Sequence, residues 1–371
     1  MKKLILGMLI VLGLAGCEQK MPSVDEAKVQ ANRRWNAARA RMLCGVAREH
    51  LKVGQLDQAA HKAAQALALD PEFVDAHLLL GKVHIEKGEH AQALEALTRV
   101  LERRPESSDA YYLLGVAREK AGELEEALAT YRRAFALDET NLAPVRAAGE
   151  VLVGLGRLRE AQIYLDSYAD KAPDDAALLE LGGRIAMMRE EPLKAVRCYQ
   201  RALDLDPGNA GYRQMLARAQ FLAGRFEDAE LTLTELRGQI DPEESPWARA
   251  MLGDCYLALG RAAKAVDVYR AVLDGEGGSP GLRANLAKAY LLLGEHEEAI
   301  LAAGRAVAMD ANCIEATMVL GCALLLENRV DEALNRLKMA VASHPSNSTL
   351  WCMRGRAHAA RGETAEARQC Y

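Results

Sequence analysis

Cysteine and histidine are the residues of this chain best suited to metal or redox chemistry, and their spacing supports neither. The 371-residue chain has eight cysteines and eight histidines. No two cysteines have the C-x-x-C spacing of zinc sites and redox pairs, and there is no His-Glu-x-x-His segment. The carboxylates fall on the exposed faces of predicted helices. The sequence therefore predicts no enzymatic activity, no metal and no cofactor.

The cysteines and histidines instead fit structural positions. Apart from Cys17, seven cysteines are present, and most are expected to be small buried apolar residues. Cys322 and Cys352 fall on neighbouring predicted helices, where either a disulfide or two free thiols could result. Three histidines recur at one register and are predicted to be packed rings; they are His50, His84 and His358.

The elements that hold these residues are revealed by a repeat. Ten alanines are spaced 34 residues apart, with one step of 36, and a glycine or alanine lies twelve residues before each. A period of this length is typical of stacked helical repeats, which bury their faces only against neighbours. The alanines are Ala59, Ala93, Ala127, Ala161, Ala195, Ala229, Ala265, Ala299, Ala333 and Ala367.

Each repeat is predicted to be a pair of antiparallel helices. In residues 74–107 two apolar series with helical spacing are separated by Gly88 and end at Pro105. Glycine suits such a turn because it adopts a positive φ without steric cost. The small residues are expected where the two backbones approach closely, so that Gly115 would face Ala127.

The third repeat carries a pattern that resembles the tetratricopeptide repeat. The matching residues are Tyr111, Leu114, Gly115, Gly122, Ala127, Tyr131 and Ala134. The resemblance implies an all-α, right-handed superhelical solenoid of about ten helix-turn-helix repeats. Repeats one to six would occupy residues 40–245, and repeats seven to ten residues 246–371, the last incomplete. Gly182 and Arg354 depart from the pattern because they replace its leucine.

The first residues predict export. Lys2 and Lys3 precede an apolar run that ends in small residues, as in a signal peptide over residues 1–16. The tetrad 14–17 is similar to the lipobox of bacterial lipoproteins. That resemblance implies that Cys17 becomes the lipid attachment site at the start of a tether over residues 17–24. Because Glu18 and not aspartate follows, the outer membrane facing the periplasm is the expected location.

The ends of the array are predicted to differ. Residues 25–39 are expected to form an N-terminal capping helix that lengthens the first repeat, with Trp35 and Leu43 docked on it. At the other end Tyr371 is followed by no capping helix, so either the chain is a fragment, or its last helix pair is frayed, or this end meets another protein, which includes self-association. Residues 241–246 and 275–281 interrupt the regular stack.

The family resemblance also implies a binding groove along the first helix of each repeat. Apolar anchors and basic side chains there would hold a partner protein or peptide. Alternatively, the apolar residues only pack neighbouring helices and the basic groups are solvated. The groove residues are Arg48, Lys82, Tyr112, Arg184, Met187, Arg218, Phe221, Trp247 and Lys288.

Together these features predict a membrane-anchored scaffold or adaptor for other envelope proteins. It would assist the assembly of envelope, pilus, secretion or exopolysaccharide-export machinery. The alternative is an adaptor or regulator of a cell-wall enzyme such as a peptidoglycan hydrolase. Nucleic acid is not an expected partner, because the net charge is −5 and the leader predicts export.

Overall fold

The computed structural model describes residues 23–168, 174–237, 246–276 and 278–371, which contain twenty α-helices and no strand. The predicted signal peptide 1–16, Cys17 with most of its tether, and residues 241–245 lie outside the described residues. The chain divides into two compact units, one up to Leu155 and the other from Gly156. Among the described helices none is both long and apolar enough to cross a bilayer.

The first unit is a stack of helix pairs. Each of its seven helices contacts the next one along the chain within the unit, so each pair packs against the next. The first helix runs without a break from the predicted capping segment into the first repeat. The helices are α1 (Val24–Lys52), α2 (Leu56–Leu69), α3 (Val74–Lys87), α4 (His90–Arg103), α5 (Ser108–Lys120), α6 (Leu124–Leu137) and α7 (Ala143–Gly154).

The second unit repeats this arrangement with thirteen helices among its described residues. Consecutive helices contact one another from α9 to α20, and α8 packs on α9. The helices are α8 (Leu158–Asp166), α9 (Ala176–Met188), α10 (Pro192–Leu205), α11 (Ala210–Leu222), α12 (Phe226–Arg237), α13 (Pro246–Ala258), α14 (Ala262–Glu276), α15 (Pro280–Leu293), α16 (His296–Met309), α17 (Ile314–Leu326), α18 (Val330–Ser343), α19 (Ser348–Ala360) and α20 (Thr364–Cys370).

The periodic alanines form the repeated core of both units. All ten are buried, nine of them completely, and Ala367 is 5% exposed. Leucines, valines and tyrosines from the same helices surround them, so each helix pair shares its core with its sequence neighbours. The all-α array of helix pairs predicted from the period is therefore confirmed.

The turns inside the pairs also follow the prediction. Gly88 ends α3 in the left-handed conformation with φ 74°, and the other predicted turn glycines share it. Two repeats place a different residue at this position. Glu190 and Asn328 both have φ 59°, which a residue with a Cβ adopts only at a cost.

Several glycines on the first helices make room for a large side chain of the second helix. A Cβ placed on Gly115 would lie 2.5 Å from Cε1 of Tyr131, so the ring and not Ala127 takes up the missing side chain's space. The same fit joins Gly183 to Tyr199 and Gly253 to Tyr269. Gly115 therefore makes room for a large side chain one turn further along the second helix than Ala127.

The N-terminal end differs from prediction in one contact. Ser23 begins α1 with a reciprocal pair of hydrogen bonds to Glu26, which satisfies backbone groups at the helix start. Leu43 packs against the first core, as expected. Trp35 does not dock, because it is 67% exposed and lies before the first helix meets its neighbours.

Candidate binding surface on the first helices

The first helices of several successive repeats contact one another directly. In the first unit α1 contacts α3, and α3 contacts α5; in the second unit the same holds for α13 with α15, α15 with α17, and α17 with α19. These first helices therefore lie next to one another and form a layer of their own. We call the surface they present the first-helix face.

Every predicted groove residue lies on a first helix and keeps some exposure. Arg48, Lys82 and Arg218 are exposed, whereas the remaining residues are half-buried. Those half-buried residues are Tyr112, Arg184, Met187, Phe221, Trp247 and Lys288.

Three tyrosines from second helices project their hydroxyls toward this face. Tyr131, Tyr199 and Tyr269 are buried side chains whose rings pass the glycine of the facing helix. Because glycine has no side chain, the ring can pass between the two backbones. Different residues surround the three hydroxyls, so the local charge differs from one tyrosine to the next.

In the first unit the tyrosine hydroxyl meets acidic groups. Tyr131 donates to Oε2 of Glu119 at 2.7 Å, and the ring of Tyr112 lies 5.7 Å from its own ring, between centroids. Burial raises the pKa of Tyr131 well above its usual range, and the charges of Glu119 and Glu150 act in the same direction. The predicted groove residue Tyr112 thus lies beside an acidic part of the face.

In the second unit Tyr199 is flanked by two predicted groove cations. Burial, followed by the charge of Glu180, raises the pKa of Tyr199, while Arg184 and Arg218 lower it through their positive charges. Arg184 is also 3.9 Å from Oε1 of Glu180 on its own helix. Arg184 of α9 and Arg218 of α11 therefore both act through their charges on the same tyrosine.

Tyr269 anchors a polar network that joins three helices. Oδ1 of Asp254 accepts from the Tyr269 hydroxyl at 2.5 Å and from Nδ2 of Asn285 at 2.9 Å. Lys288 donates to Oδ1 of Asn285 at 3.1 Å. Burial raises the pKa of Asp254, against the lowering effects of Tyr269, Asn285 and Lys288. The groove cation Lys288 is therefore held in place by a neutral amide.

The three predicted apolar anchors are shared between core and surface. Met187 packs on the core around Tyr199, and Phe221 and Trp247 pack on the next core along the chain. The ring of Phe221 lies 5.3 Å from that of Phe226. Part of each of these side chains is therefore packed against the core, and the part that remains exposed is available to a partner.

The histidines belong to the turns. Nδ1 of His84 pairs with Oε2 of Glu89 at 2.6 Å, and His358 pairs in the same way with Glu363. His50 makes the equivalent contact with Gln55. These rings bridge the two helices of a pair across the turn.

The cysteines form no bridge among the described residues. All seven described cysteines are free, so the disulfide considered for Cys322 and Cys352 does not form, and Cys352 points to solvent. No group of three or more His, Cys, Asp or Glu within the described ranges is arranged to hold a metal ion.

Several residues of interest carry no clear signal in the sequence. Tyr269 is missed as a site residue, although the glycine sixteen residues before each large aromatic could have revealed it. Residues 277–281 match the Gly-x-Ser-x-Gly pattern of hydrolase nucleophiles. Ser279 caps α15 by accepting from the amide of Leu282 and lies between two helices, which is not the strand-to-helix turn of that motif.

Stacked helix pairs that expose basic and apolar side chains on a first-helix face define a helical-repeat binding protein. Two family models described as tetratricopeptide repeat match the chain, one at residues 46–97, 81–141, 215–281 and 318–371, the other at residues 118–185, 186–243 and 256–321. The chain belongs to the tetratricopeptide repeat family. This fold is typically a non-catalytic scaffold that binds proteins or peptides.

Individual relatives are distant. Tetratricopeptide repeat protein 7B of Homo sapiens is 29% identical over 135 residues, which is 36% of this chain and only 16% of that protein. A crystal structure of a tetratricopeptide repeat protein from Parabacteroides merdae is 19% identical, with a TM-score of 0.44, and 68% of this chain aligns with 98% of it. The structure of YrrB, described as having an unusual peptide-binding site, is 24% identical with a TM-score of 0.45, covering 50% of this chain and 94% of that one.

Proposed function

We propose that this protein is a lipid-anchored scaffold of the bacterial envelope that holds partner proteins or peptides on its first-helix face. Cys17, which lies outside the described residues, would carry the lipid. The proposal has two parts, an anchor and a binding surface, and each rests on separate support.

The anchor is supported by the leader sequence. Two lysines, an apolar run and small residues before Cys17 are the features of an exported and lipidated protein. More than one acyl chain on the cysteine is needed, because a single chain gives only marginal membrane binding. The expected location is the outer membrane, facing the periplasm.

One observation carries the binding surface. The positive charges of Arg184 and Arg218 both act on Tyr199, and each arginine has an apolar residue three positions later on the same helix face, Met187 and Phe221 respectively. This part of the face therefore alternates positive charge with partly exposed apolar surface. It suits a partner segment that carries carboxylates beside large apolar side chains.

A crosslinking experiment tests this surface. A photoreactive benzoylphenylalanine in place of Phe221 is expected to capture a partner in intact cells, because it would lie at the centre of the contact. The matched control is the same residue in place of Leu231, which is 62% exposed on the second helix of that repeat. Equal capture from both positions, or none from Phe221, would remove the first-helix face as the contact surface.

The captured partner also decides between the envelope pathways. A component of pilus, secretion or exopolysaccharide-export machinery would support the assembly role. A peptidoglycan hydrolase would instead support the adaptor for a cell-wall enzyme. Capture of a cytoplasmic protein would contradict the proposed location.

A further inference from the structure

One side of α1 carries an apolar stripe that is exposed to solvent. With about 3.6 residues per turn, Val24, Trp35 and Met42 lie on the same side of the helix. Val24 is 71% exposed, Trp35 67% and Met42 70%. The helices α2 and α3 pack on the opposite side of α1, whose buried residues are Ala40, Cys44 and Ala47. We call the exposed apolar residues the α1 stripe; they are Val24, Ala27, Ala31, Trp35, Ala38, Met42 and Val46.

The later part of the α1 stripe matches the surface by which the next repeat stacks on the first. Met42 lies 34 residues before Ala76, which is completely buried and packs with core residues of the first repeat. Val46 lies 34 residues before Leu80, which packs against the same core. The first repeat therefore exposes an apolar stacking surface. Solenoids normally end in a polar surface, so an occupant is expected here.

The charge of α1 indicates the kind of occupant. Between Ala27 and Arg48 the helix has six basic residues and no acidic one, in a chain whose net charge is −5. Arg34 and Arg41 lie along one edge of the α1 stripe, and Arg39 lies along the other. A second copy of the chain would bring an equally basic helix against the first, which is repulsive, whereas an anionic surface is attracted. The six basic residues, all exposed, are Lys28, Arg33, Arg34, Arg39, Arg41 and Arg48.

We propose that α1 lies on the anionic phospholipid headgroups of a membrane, with the α1 stripe facing the bilayer. Tryptophan suits this position because its amphipathic ring favours the level of the headgroups. Basic side chains at the edges of an apolar stripe can reach the lipid phosphates. The contact rests on the proposed lipid anchor for its setting. Cys17 is six residues before Ser23, and a chain of that length spans at most about 20 Å.

This contact would orient the protein without replacing the lipid. Attraction between basic side chains and anionic headgroups is screened over a Debye length, which is about 10 Å at 0.1 M salt and shorter at higher salt. The acyl chains on Cys17 therefore remain the anchor that withstands a salt wash. Because α2 and α3 pack on the other side of α1, they would lie on the side away from the bilayer.

Vesicle binding tests the contact without the lipid. The parent chain is residues 17–371 with Cys17→Ser, which retains all twenty described helices. It is expected to co-sediment at low salt with vesicles of equal parts phosphatidylglycerol and phosphatidylcholine. Binding to phosphatidylcholine alone should be about tenfold weaker or less, and about 0.5 M salt should release the protein. No binding to the anionic vesicles would overturn this proposal but would leave the lipid anchor and the first-helix face unaffected.

Two substitutions on α1 locate the contact. Trp35→Ser removes the largest side chain of the α1 stripe and is expected to weaken binding to the anionic vesicles about tenfold. The matched control is Val29→Ser, because Val29 is 51% exposed on the same helix but lies outside the stripe. Both positions are exposed, and circular dichroism verifies that the fold is retained. Equal losses, or no loss from Trp35→Ser, would contradict the proposal.

A second pair of variants tests the charge. Arg34→Gln combined with Arg41→Gln is expected to weaken vesicle binding by a factor on the order of ten or more, because each basic residue near an anionic surface contributes about fivefold. The control is Arg305→Gln combined with Lys338→Gln, which removes the same charge from exposed positions on other helices. Similar losses from both pairs would mean that net charge and not α1 determines binding.

Tryptophan fluorescence separates the membrane from the other occupants. Anionic vesicles are expected to shift the emission of the parent chain to shorter wavelength. Trp35→Phe, which keeps an apolar ring, should still bind but should lose this shift. A shift that persists in Trp35→Phe would place the contact at another tryptophan. Light scattering without vesicles completes the test: a dimer that Trp35→Ser converts to a monomer would assign the stripe to a second copy and overturn the proposal.

Discussion

Gly115 and Tyr131 fit so closely that a methyl group on the glycine would lie 2.5 Å from the tyrosine ring. The two residues are sixteen apart in the chain, and the same interval joins Gly183 to Tyr199. Where the second position is alanine, as at Ala303, the first is alanine too, at Ala287. In these pairs, the sizes of the two residues at the helix crossing are thus matched to each other.

This fit predicts the cost of a single methyl group. Gly115→Ala is expected to destabilise the protein by roughly 1–3 kcal/mol, because the buried ring of Tyr131 has no free space to move into. The urea midpoint of the helical signal measures the effect. Gly321→Ala is the control: its Cβ would be 3.1 Å from the flexible end of Met353, and a much smaller loss is expected. Equal losses would mean that the aromatic fit is unimportant.

Glycine is predicted to increase the stability of the protein when it is introduced at either of two turns. Glu190→Gly is expected to stabilise the protein by about 1 kcal/mol, because Glu190 has a positive φ of 59° that its Cβ disfavours. Asn328 has the same φ, but asparagine tolerates it better, so Asn328→Gly should gain less. Thermal melting of both variants makes the comparison. A loss of stability in Glu190→Gly would show that its side chain makes a compensating contact.

The Asp254 network predicts a pH dependence. Burial raises the pKa of Asp254 above its usual 3.8, so the folded protein binds this proton more tightly than the unfolded chain. Its contribution to stability is therefore present at pH below 3.8 and is lost as the pH rises through the folded-state pKa. Asp254→Asn can still accept from Tyr269 and Asn285 but does not titrate.

The measurement is the stability of both proteins from pH 4 to 7. The unmodified protein is expected to lose stability relative to Asp254→Asn as the pH increases. A constant difference over this range would mean that the proton on Asp254 is not linked to folding.

Charge reversal on the first-helix face is expected to weaken partner capture. Arg184→Glu combined with Arg218→Glu replaces attraction of a partner's carboxylates by repulsion, and about a tenfold loss of affinity is expected. The control reverses Arg305 and Lys338, which are exposed on second helices of the same unit. Binding of the captured partner is measured by calorimetry and folding by circular dichroism. Similar losses in both variants would indicate a non-specific effect of charge.

The proposed anchor gives a prediction about location. Cys17→Ser should move the protein from the membrane fraction to the soluble envelope fraction, because the acyl chains can no longer be attached. Cys352→Ser, at an exposed cysteine within the repeats, should leave the protein at the membrane. Membrane retention of the Cys17→Ser variant would remove the lipid anchor from the proposal.

The sequence predicts the array well because its strongest signals are local and repeated. Buried alanines such as Ala127 and turn glycines such as Gly88 recur at one period, so each occurrence supports the others. Contacts that occur once are harder to predict. Trp35 has helical spacing but is 67% exposed, and spacing alone does not report what lies opposite a residue. The fit of Tyr131 against Gly115 was not predicted for the same reason, because a period fixes registers and not distances.

The glycine–tyrosine fit makes one residue serve two purposes. Tyr131, Tyr199 and Tyr269 hold their helix pairs together, and the buried hydroxyls of Tyr131 and Tyr269 also donate to the first-helix carboxylates of Glu119 and Asp254. Replacement by leucine, as at Leu97 and Leu337, keeps the packing but withdraws that hydroxyl. In such a repeat, helix packing and surface chemistry therefore change together. A substitution that alters how the two helices interlock also alters the polar groups near the first-helix face.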